Sequence, residues 1–134
     1  MLEQWMSPIP SDLVRAALQA YVDKDRSAIE ALLAADYRFT SPLDNAIDRA
    51  TYFRRCWPNS ASMMACKCVH AVDFGDRAFV VYEAQVDGGK RFRNAELHTV
   101  RDGCIASTEV YFGWDLPHKA AAGGYTDKTQ GEGA

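Results

Sequence analysis

Apolar residues in the first third of the chain recur with the period of an α-helix. After Pro10 they stand three and four positions apart for about three turns, which predicts a first helix that Ser11 or Asp12 would cap. A shorter stripe of the same period follows, and Asp25 or Ser27 would cap this second helix. The chain therefore begins with two short amphipathic helices.

A strand and a third helix follow. Residues 37–41 form a short run of strand-forming residues that Pro42 ends, because proline has no amide hydrogen to donate to a sheet. Residues 48–57 again have helical spacing, and Pro58 restricts the backbone of the residue before it, which ends the helix.

From about residue 62 to residue 113 the pattern changes to long apolar strands separated by turns. The turn signals are Gly75-Asp76, Gly88-Gly89 and Asp102-Gly103. Four antiparallel strands in a meander follow from this spacing. The predicted order is α-α-β-α-β-β-β-β, which is an α+β domain with helices packed on a strongly twisted, mostly antiparallel sheet. We expect one domain over residues 1–114 and a flexible C-terminal tail over residues 115–134, which has almost no large apolar side chains.

Composition narrows the class of partner. The chain has 134 residues and a formal net charge of −3, without a block of lysine or arginine, so neither nucleic acid nor an anionic membrane is expected to bind it. There is no apolar run of the length that spans a bilayer. The first eight residues do not resemble a signal peptide, and the four cysteines are interpreted as reduced thiols, so we expect a cytoplasmic protein.

Hairpin geometry predicts which residues share a side of the sheet. If Gly75-Asp76 and Gly88-Gly89 are two-residue turns, His70 faces Val81 and Val81 faces Glu96. One side of the sheet would then carry Cys66, Cys68, His70, Val72, Phe79, Val81, Glu83, Gln85, Phe92, Asn94, Glu96 and His98. Such a mixture is typical of a solvated face or of a concave pocket with a few directing polar groups, and its aromatic residues favour the pocket.

The other side would be apolar, and this predicts a homodimer. Its residues would be Val69, Ala71, Val80, Tyr82, Ala84, Val86, Ala95 and Leu97.

The register of the last hairpin has two solutions. A two-residue turn at Asp102-Gly103 sets Glu109 opposite Glu96, whereas a three-residue loop shifts the strand by one position. The shift would bring Thr108, Val110 and Phe112 to the side of Glu96, because a slip of one residue exchanges the two faces of a strand.

Several segments, in this order, resemble the nuclear transport factor two-like superfamily, and more narrowly its SnoaL-like and ketosteroid-isomerase-like members. The segments are residues 25–34, Phe39-Thr-Ser-Pro42, residues 100–105 and Tyr111-Phe-Gly113, and the resemblance covers about residues 11–118. It implies a cone-shaped roll in which a strongly curved sheet wraps around the helices and encloses a conical pocket, usually in a homodimer.

The resemblance also allows the isomerase mechanism to be compared residue by residue. That enzyme uses an Asp as base and a Tyr and a protonated Asp as oxyanion donors. The corresponding positions here are Ser41 for the base, Ala17 for the Tyr and Glu96 for the protonated Asp. Serine cannot remove a proton from carbon unaided and alanine donates no hydrogen bond, so we do not expect a steroid isomerase. The resemblance also favours Phe112 over Tyr111 in the pocket.

Three residues are candidates for catalysis. Glu96 would lose hydration in an apolar cone, which favours the neutral acid that can donate a proton or a hydrogen bond. His98 lies two residues further on the same face and completes an acid–base pair. Asp44, in the loop after the first strand, could replace the missing base or gate the pocket mouth.

The remaining candidates line the pocket. They are Ser41, Tyr52, Trp57, His70, Phe79, Val81, Glu83, Asn94 and Phe112. Cys66, Cys68 and His70 alternate on one strand, but residues two apart rise about 6.6 Å, too far for two short thiols to reach one ion, so no metal site is expected. No cofactor motif is present in the sequence.

Two functions are compatible with this pattern. The first is a protein that binds a small hydrophobic or amphipathic molecule, with proton-transfer chemistry of the isomerase, cyclase or hydratase/hydrolase type if it is an enzyme. The alternative is a non-catalytic dimerisation or binding module with a vestigial pocket. An open cavity around Glu96 would favour the first, and a cone filled by aromatic side chains would favour the second.

Overall fold

The computed structural model describes residues 9–127. The helices are α1 (Pro10–Asp23), α2 (Arg26–Leu32) and α3 (Arg49–Arg55), with a 3₁₀ helix over Trp57–Ser62. The strands are β1 (Leu33–Ser41), β2 (Asp44–Asp48), β3 (Met63–Phe74), β4 (Arg77–Val86), β5 (Arg91–Arg101) and β6 (Cys104–Leu116). They form one curved sheet in the order β2-β1-β6-β5-β4-β3, antiparallel except where β1 pairs with β6. The predicted α+β class is confirmed.

The helix starts differ in part from the prediction. Asp25 caps α2, because its carboxylate accepts a hydrogen bond from the amide of Ala28 at 3.1 Å. Neither Ser11 nor Asp12 caps α1, which begins with Pro10 in its first turn and has no side-chain cap. Ser11 instead donates from its amide and its hydroxyl to Asp73 of β3, at 2.8 and 2.7 Å. These two bonds attach the start of α1 to the sheet.

Strand β2 and the length of α3 were not predicted. β2 is a short edge strand of largely polar sequence, so the apolar pattern did not reveal it. α3 begins after Asp48, whose carboxylate accepts from the Thr51 amide at 2.9 Å, and it ends at Arg55. The segment around Pro58 forms the 3₁₀ helix instead of extending α3.

The loop between β4 and β5 contains three residues, not two. Asp87–Gly89 lie outside the ladder, and Gly88 and Gly89 have φ angles of 87° and 86°, which glycine adopts without steric cost. Glu96 therefore pairs with Val80, and the predicted pairing with Val81 is wrong. Because one residue of slip exchanges the faces, Glu96 shares its side with Tyr82 and the apolar half of β4. The face predicted to be apolar throughout is thus divided between the two sides.

The β5–β6 hairpin has the second of the two predicted registers, but a bulge and not a three-residue loop produces it. Asp102 and Gly103 form a two-residue turn with φ angles of 54° and 76°, and Arg101 pairs with Cys104. The register then shifts at Thr99 and Val100, so that Glu96 pairs with Val110. Thr108, Val110 and Phe112 therefore lie on the side of Glu96, as the shifted register predicts, but a bulge causes the shift.

The core lies between the helices and the concave side of the sheet. Its main cluster joins α1 and α2 to Tyr37, Tyr52 and Ile105, and a second cluster packs Val14 on Ala78 and Val80. Within residues 9–127, no helix is long and apolar enough to cross a membrane. β6 continues to Leu116, two residues beyond the predicted domain boundary. The last seven residues of the predicted tail, and the eight examined for a signal peptide, lie outside the described residues.

Candidate functional site

A cavity of about 600 Å³ opens between α1, α3 and the concave side of the sheet. Most of its wall is apolar. The aromatic residues of its wall are Tyr21, Tyr37, Phe39, Tyr52, Tyr82, Phe92, Phe112 and Trp114. A cavity of this size and composition is typical of sites for small organic molecules.

Glu96 and His98 form a buried pair on this wall. His98 Nε2 lies 2.7 Å from Glu96 Oε1, and their side chains are only 5% and 12% exposed. Both residues face the cavity because they are two apart on β5. An imidazole and a carboxylate at this distance can exchange or share a proton.

Thr108 of β6 fixes the other side of the imidazole. Its hydroxyl oxygen lies 3.0 Å from His98 Nδ1, and both side chains are buried. A neutral imidazole has one N–H, and a carboxylate can only accept. We therefore assign the N–H to Nε2, donating to Glu96, and leave Nδ1 to accept from the Thr108 hydroxyl.

Four tyrosines surround this pair, and the sequence analysis named only one of them, Tyr52, as pocket-lining. Burial raises the pKa of Tyr21, Tyr37, Tyr52 and Tyr82, and the negative charge of Glu96 adds to the rise in each. The phenols thus remain protonated donors at neutral pH. The hydroxyls of Tyr21 and Tyr52 hydrogen-bond to each other, and that of Tyr82 accepts from the Asn94 amide at 3.2 Å.

Asn94 is held from both ends. Its side-chain oxygen accepts from the amide of Gly113 at 3.1 Å, while its nitrogen donates to Tyr82. Gly113 has no room for a side chain, because an added Cβ would lie 2.1 Å from the carbonyl oxygen of Arg93. The close approach of β5 and β6 at this point therefore sets the orientation of a polar group in the cavity wall.

The cavity mouth carries the third predicted catalytic residue. Ser41 donates to one oxygen of Asp44 at 2.9 Å, and Arg55 of α3 donates to the other at 2.7 Å. Asp44 is thus engaged by two neighbours. This arrangement connects the β1–β2 turn to α3, and the predicted role of Asp44 as a base or a gate stays a prediction.

The structure brings most of the predicted site residues together. Seven of them lie on the cavity wall: Ser41, Asp44, Tyr52, Asn94, Glu96, His98 and Phe112. Which of these act in function stays a prediction.

Five predicted wall residues lie elsewhere. His70, Phe79, Val81 and Glu83 face the convex side of the sheet, and the prediction that they line the pocket is wrong, because the β4–β5 loop has one residue more than assumed. Trp57 is also absent from the wall, since its ring packs behind Tyr21 at a centroid distance of 4.8 Å.

The sequence contained a signal for the missed tyrosines. Tyr21 stands one helical turn after Ala17, on the stripe that had been assigned to the core. Tyr82 would have been placed in the cavity by the correct β4–β5 register. Their hydroxyls distinguish them from simple core residues.

The alternating Cys66, Cys68 and His70 do not share one side of β3. The register of β3 shifts between Cys68 and His70. As a result His70 pairs with Val81, and its imidazole lies on the convex side of the sheet. Across residues 9–127, no three His, Cys, Asp or Glu side chains are grouped closely enough to hold a metal ion. All four cysteine thiols are free.

Comparison with known proteins identifies similar folds. The family described as SnoaL-like domain matches residues 14–108. A crystal structure from Kribbella flavida is 23% identical, with a TM-score of 0.70 over 78% of this chain and 87% of that one. No curated protein matches the chain.

Two further similar structures come from proteins whose names state an activity. A putative polyketide cyclase from Sinorhizobium meliloti is 21% identical, with a TM-score of 0.61 over 74% of this chain and 93% of that one. An epoxide hydrolase from M. tuberculosis is 17% identical, with a TM-score of 0.63 over 76% and 80%. At these identities the likeness concerns the fold alone.

Proposed function

The chain belongs to the SnoaL-like domain family, and from this premise we propose that it binds a small hydrophobic or amphipathic molecule and transfers a proton on it through Glu96 and His98. The observation that carries the proposal is the buried 2.7 Å contact between these two side chains on the wall of an open cavity. The reaction would be an isomerisation, a cyclisation or an addition of water. Similar structures named as a cyclase and an epoxide hydrolase support this range.

In this proposal Glu96 acts on the substrate and His98 positions its carboxylate, because Nε2–H donates to Oε1 at 2.7 Å. Glu96 accepts a proton from a carbon or oxygen atom and returns it to another atom of the substrate, and the tyrosine hydroxyls can donate to the negative charge that develops. Steroid isomerisation is not proposed. Ser41 and Ala17 stand where that mechanism, by resemblance, needs a base and a phenol, and Ser41 is bonded to Asp44.

The experiment is hydrogen exchange at carbon. Carbonyl compounds, including any that co-purify with the protein, are incubated with it in D₂O, and deuterium uptake is followed by NMR. We expect exchange that Glu96→Gln slows by about 100-fold or more, because a positioned base contributes at least that factor. Glu83→Gln, on the convex side, is the matched control. Uptake equal in wild type and Glu96→Gln across the compounds would refute Glu96 as the base.

The open cavity supports this function over the alternative of a module with a vestigial pocket. A cone filled by aromatic side chains would have favoured the alternative, but these aromatic rings line a space of about 600 Å³ and do not fill it.

We also propose that two copies associate through the convex side of the sheet. Val72, Phe79 and Tyr111 are 59%, 39% and 52% exposed there. Exposed apolar side chains grouped in this way are typical of association surfaces. The four free thiols support a reducing compartment, and we propose the cytoplasm.

A further inference from the structure

We infer that the cavity takes an organic cation, an amine bound as its ammonium ion or a quaternary ammonium compound, with the charge beside Glu96 and the alkyl groups against the tyrosine rings. The inference rests on one part of the proposed function, namely that the cavity binds a ligand. It adds the chemical class of that ligand. It follows from three features of the wall: a buried carboxylate, the absence of an ion pair between it and any described lysine or arginine, and aromatic rings around it.

The first feature is the negative charge of Glu96. In the tautomer assigned above, the Glu96 carboxylate accepts from Nε2 at 2.7 Å, and its negative charge adds to the raised pKa of the four surrounding tyrosines. Its side chain is 12% exposed, so water screens the charge poorly. The Thr108 hydroxyl supports the same arrangement, because it supplies the hydrogen bond that Nδ1 then needs.

The second feature is that the nearby basic side chains are used elsewhere. Arg93 pairs with Glu83 at 2.7 Å, Lys90 lies 3.9 Å from Asp115, and Arg55 pairs with Asp44 at 2.7 Å. Among the described residues, no lysine or arginine forms an ion pair with Glu96. With the imidazole of His98 in the neutral tautomer assigned above, a cationic ligand would supply the counter-charge to Glu96, whereas an anion would be repelled.

The third feature is the aromatic wall. Tyr37 and Phe39 each contact Tyr52 at a centroid distance of 5.2 Å, with interplanar angles of 73° and 50°. The rings are therefore tilted against one another and do not stack face to face. The two tyrosines are buried in the cavity wall, and Phe39 and Phe92 in the same wall are half-buried. Ring faces carry partial negative charge and attract ammonium groups, and cages of this kind recognise quaternary ammonium ligands.

The test compares choline with 3,3-dimethylbutan-1-ol, its neutral isostere, by calorimetry at about pH 8. Because the two differ only in charge, we expect choline to bind about tenfold or more tightly to the wild-type protein. Glu96→Gln should remove the preference, and Glu83→Gln on the convex side should retain it.

A second pair of variants tests the aromatic wall. Tyr52→Leu should lower choline affinity more than affinity for the isostere, and Tyr52→Phe should keep the preference, because phenylalanine retains the ring. Thermal melting shows that each variant is folded.

Equal affinity of the wild type for the two compounds, or a preference for choline that survives Glu96→Gln, would overturn the inference while leaving the cavity a ligand site. A charge preference without any carbon exchange would instead overturn the catalytic part of the proposed function alone. If neither compound bound at about 10 mM, the ligand class would be refuted.

Discussion

At the scale of single residues, Thr108 decides how the imidazole of His98 can act. Its hydroxyl lies 3.0 Å from Nδ1 in a buried site, so it determines which ring nitrogen carries the proton. A threonine on a strand gives no such indication in the sequence. Its role became visible only when β6 was placed beside β5.

Replacing Thr108 by valine keeps the shape of the side chain and removes the hydroxyl. We expect the free energy of unfolding to fall by about 1–3 kcal/mol, because Nδ1 is left buried without a partner. Urea denaturation measures the loss. Nitrogen-15 NMR of the imidazole should show the Nε2-protonated tautomer in the wild type and a changed Nδ1 signal in the variant. Thr99→Val is the control, and an equal loss in both variants would contradict the assigned role.

The cavity cysteines allow a second prediction at this scale. Burial raises the pKa of Cys66 to about 12 and that of Cys56 to about 11, and nearby negative charges add to each rise. A raised pKa lowers the fraction of reactive thiolate at a given pH.

At about pH 8 we therefore expect iodoacetamide to label Cys66 more slowly than Cys56, and both more slowly than in the urea-unfolded chain. Peptide mass spectrometry against time measures the rates. Labelling of Cys66 at the unfolded-state rate would show that the thiol is open to solvent.

At the scale of elements, the link between α1 and β3 rests on Ser11 and Asp73. Ser11→Ala removes the hydroxyl bond to a carboxylate and should cost about 1.5–3 kcal/mol of stability. Asp73→Ala should cost more, because it also removes the partner of the Ser11 amide. Chemical denaturation is the measurement. Ser27→Ala, at an exposed helical position, should be nearly neutral, and equal costs for Ser11→Ala and Ser27→Ala would argue against the link.

The contact between β5 and β6 at Gly113 gives another prediction. Gly113→Ala places a Cβ 2.1 Å from the Arg93 carbonyl oxygen, so the strands must separate, at a cost of about 1–3 kcal/mol. The separation also weakens the bond from the Gly113 amide to Asn94.

A control for this change is Gly124→Ala, where the nearest atom is 3.2 Å from the added Cβ. Thermal melting compares the two variants, and a two-dimensional NMR spectrum reports on the Asn94 side-chain amide. A Gly113→Ala protein as stable as the wild type, with that amide signal unmoved, would contradict the prediction.

The elements themselves were largely predictable, whereas their register was not. Helical spacing and glycine turns identified α1, α2 and the four long strands, since these signals are local. The sequence does not reveal the additional loop residue at Asp87–Gly89 or the bulge at Thr99. In both places the alternative backbone conformations are similar in energy, so contacts with the rest of the fold determine which one forms. Glu96 and His98 share a face in either register because they are two apart on one strand. His70, Phe79, Val81 and Glu83 depended on the register and were misplaced.

At the scale of the whole molecule, the two sides of the sheet have different surroundings. The concave side meets the helices and encloses the cavity, while the convex side presents Val72, Phe79 and Tyr111 outward. In the observed β4–β5 register, the apolar residues on the convex side differ from those that the sequence predicted there. The predicted homodimer now depends on this second set.

Val72→Glu should convert the protein from dimer to monomer, because it would place a charge within the proposed apolar contact. Sedimentation velocity at micromolar concentration measures the mass. Leu43→Glu, at a residue that is 74% exposed and lies at the cavity mouth, should leave the dimer intact. A wild-type protein that sediments as a monomer would refute the dimer.

The three-residue loop of Asp87–Gly89 has a consequence for the evolution of the fold. Loss of one codon there, with the strands kept paired, would turn β5 over and present its carboxylate and imidazole to bulk solvent, while Arg93 and Leu97 would turn inward. The mutant protein would lack a single amino acid, yet every residue of β5 would face the opposite side of the sheet. Descendants that vary freely in this loop's composition are therefore expected to hold its length constant.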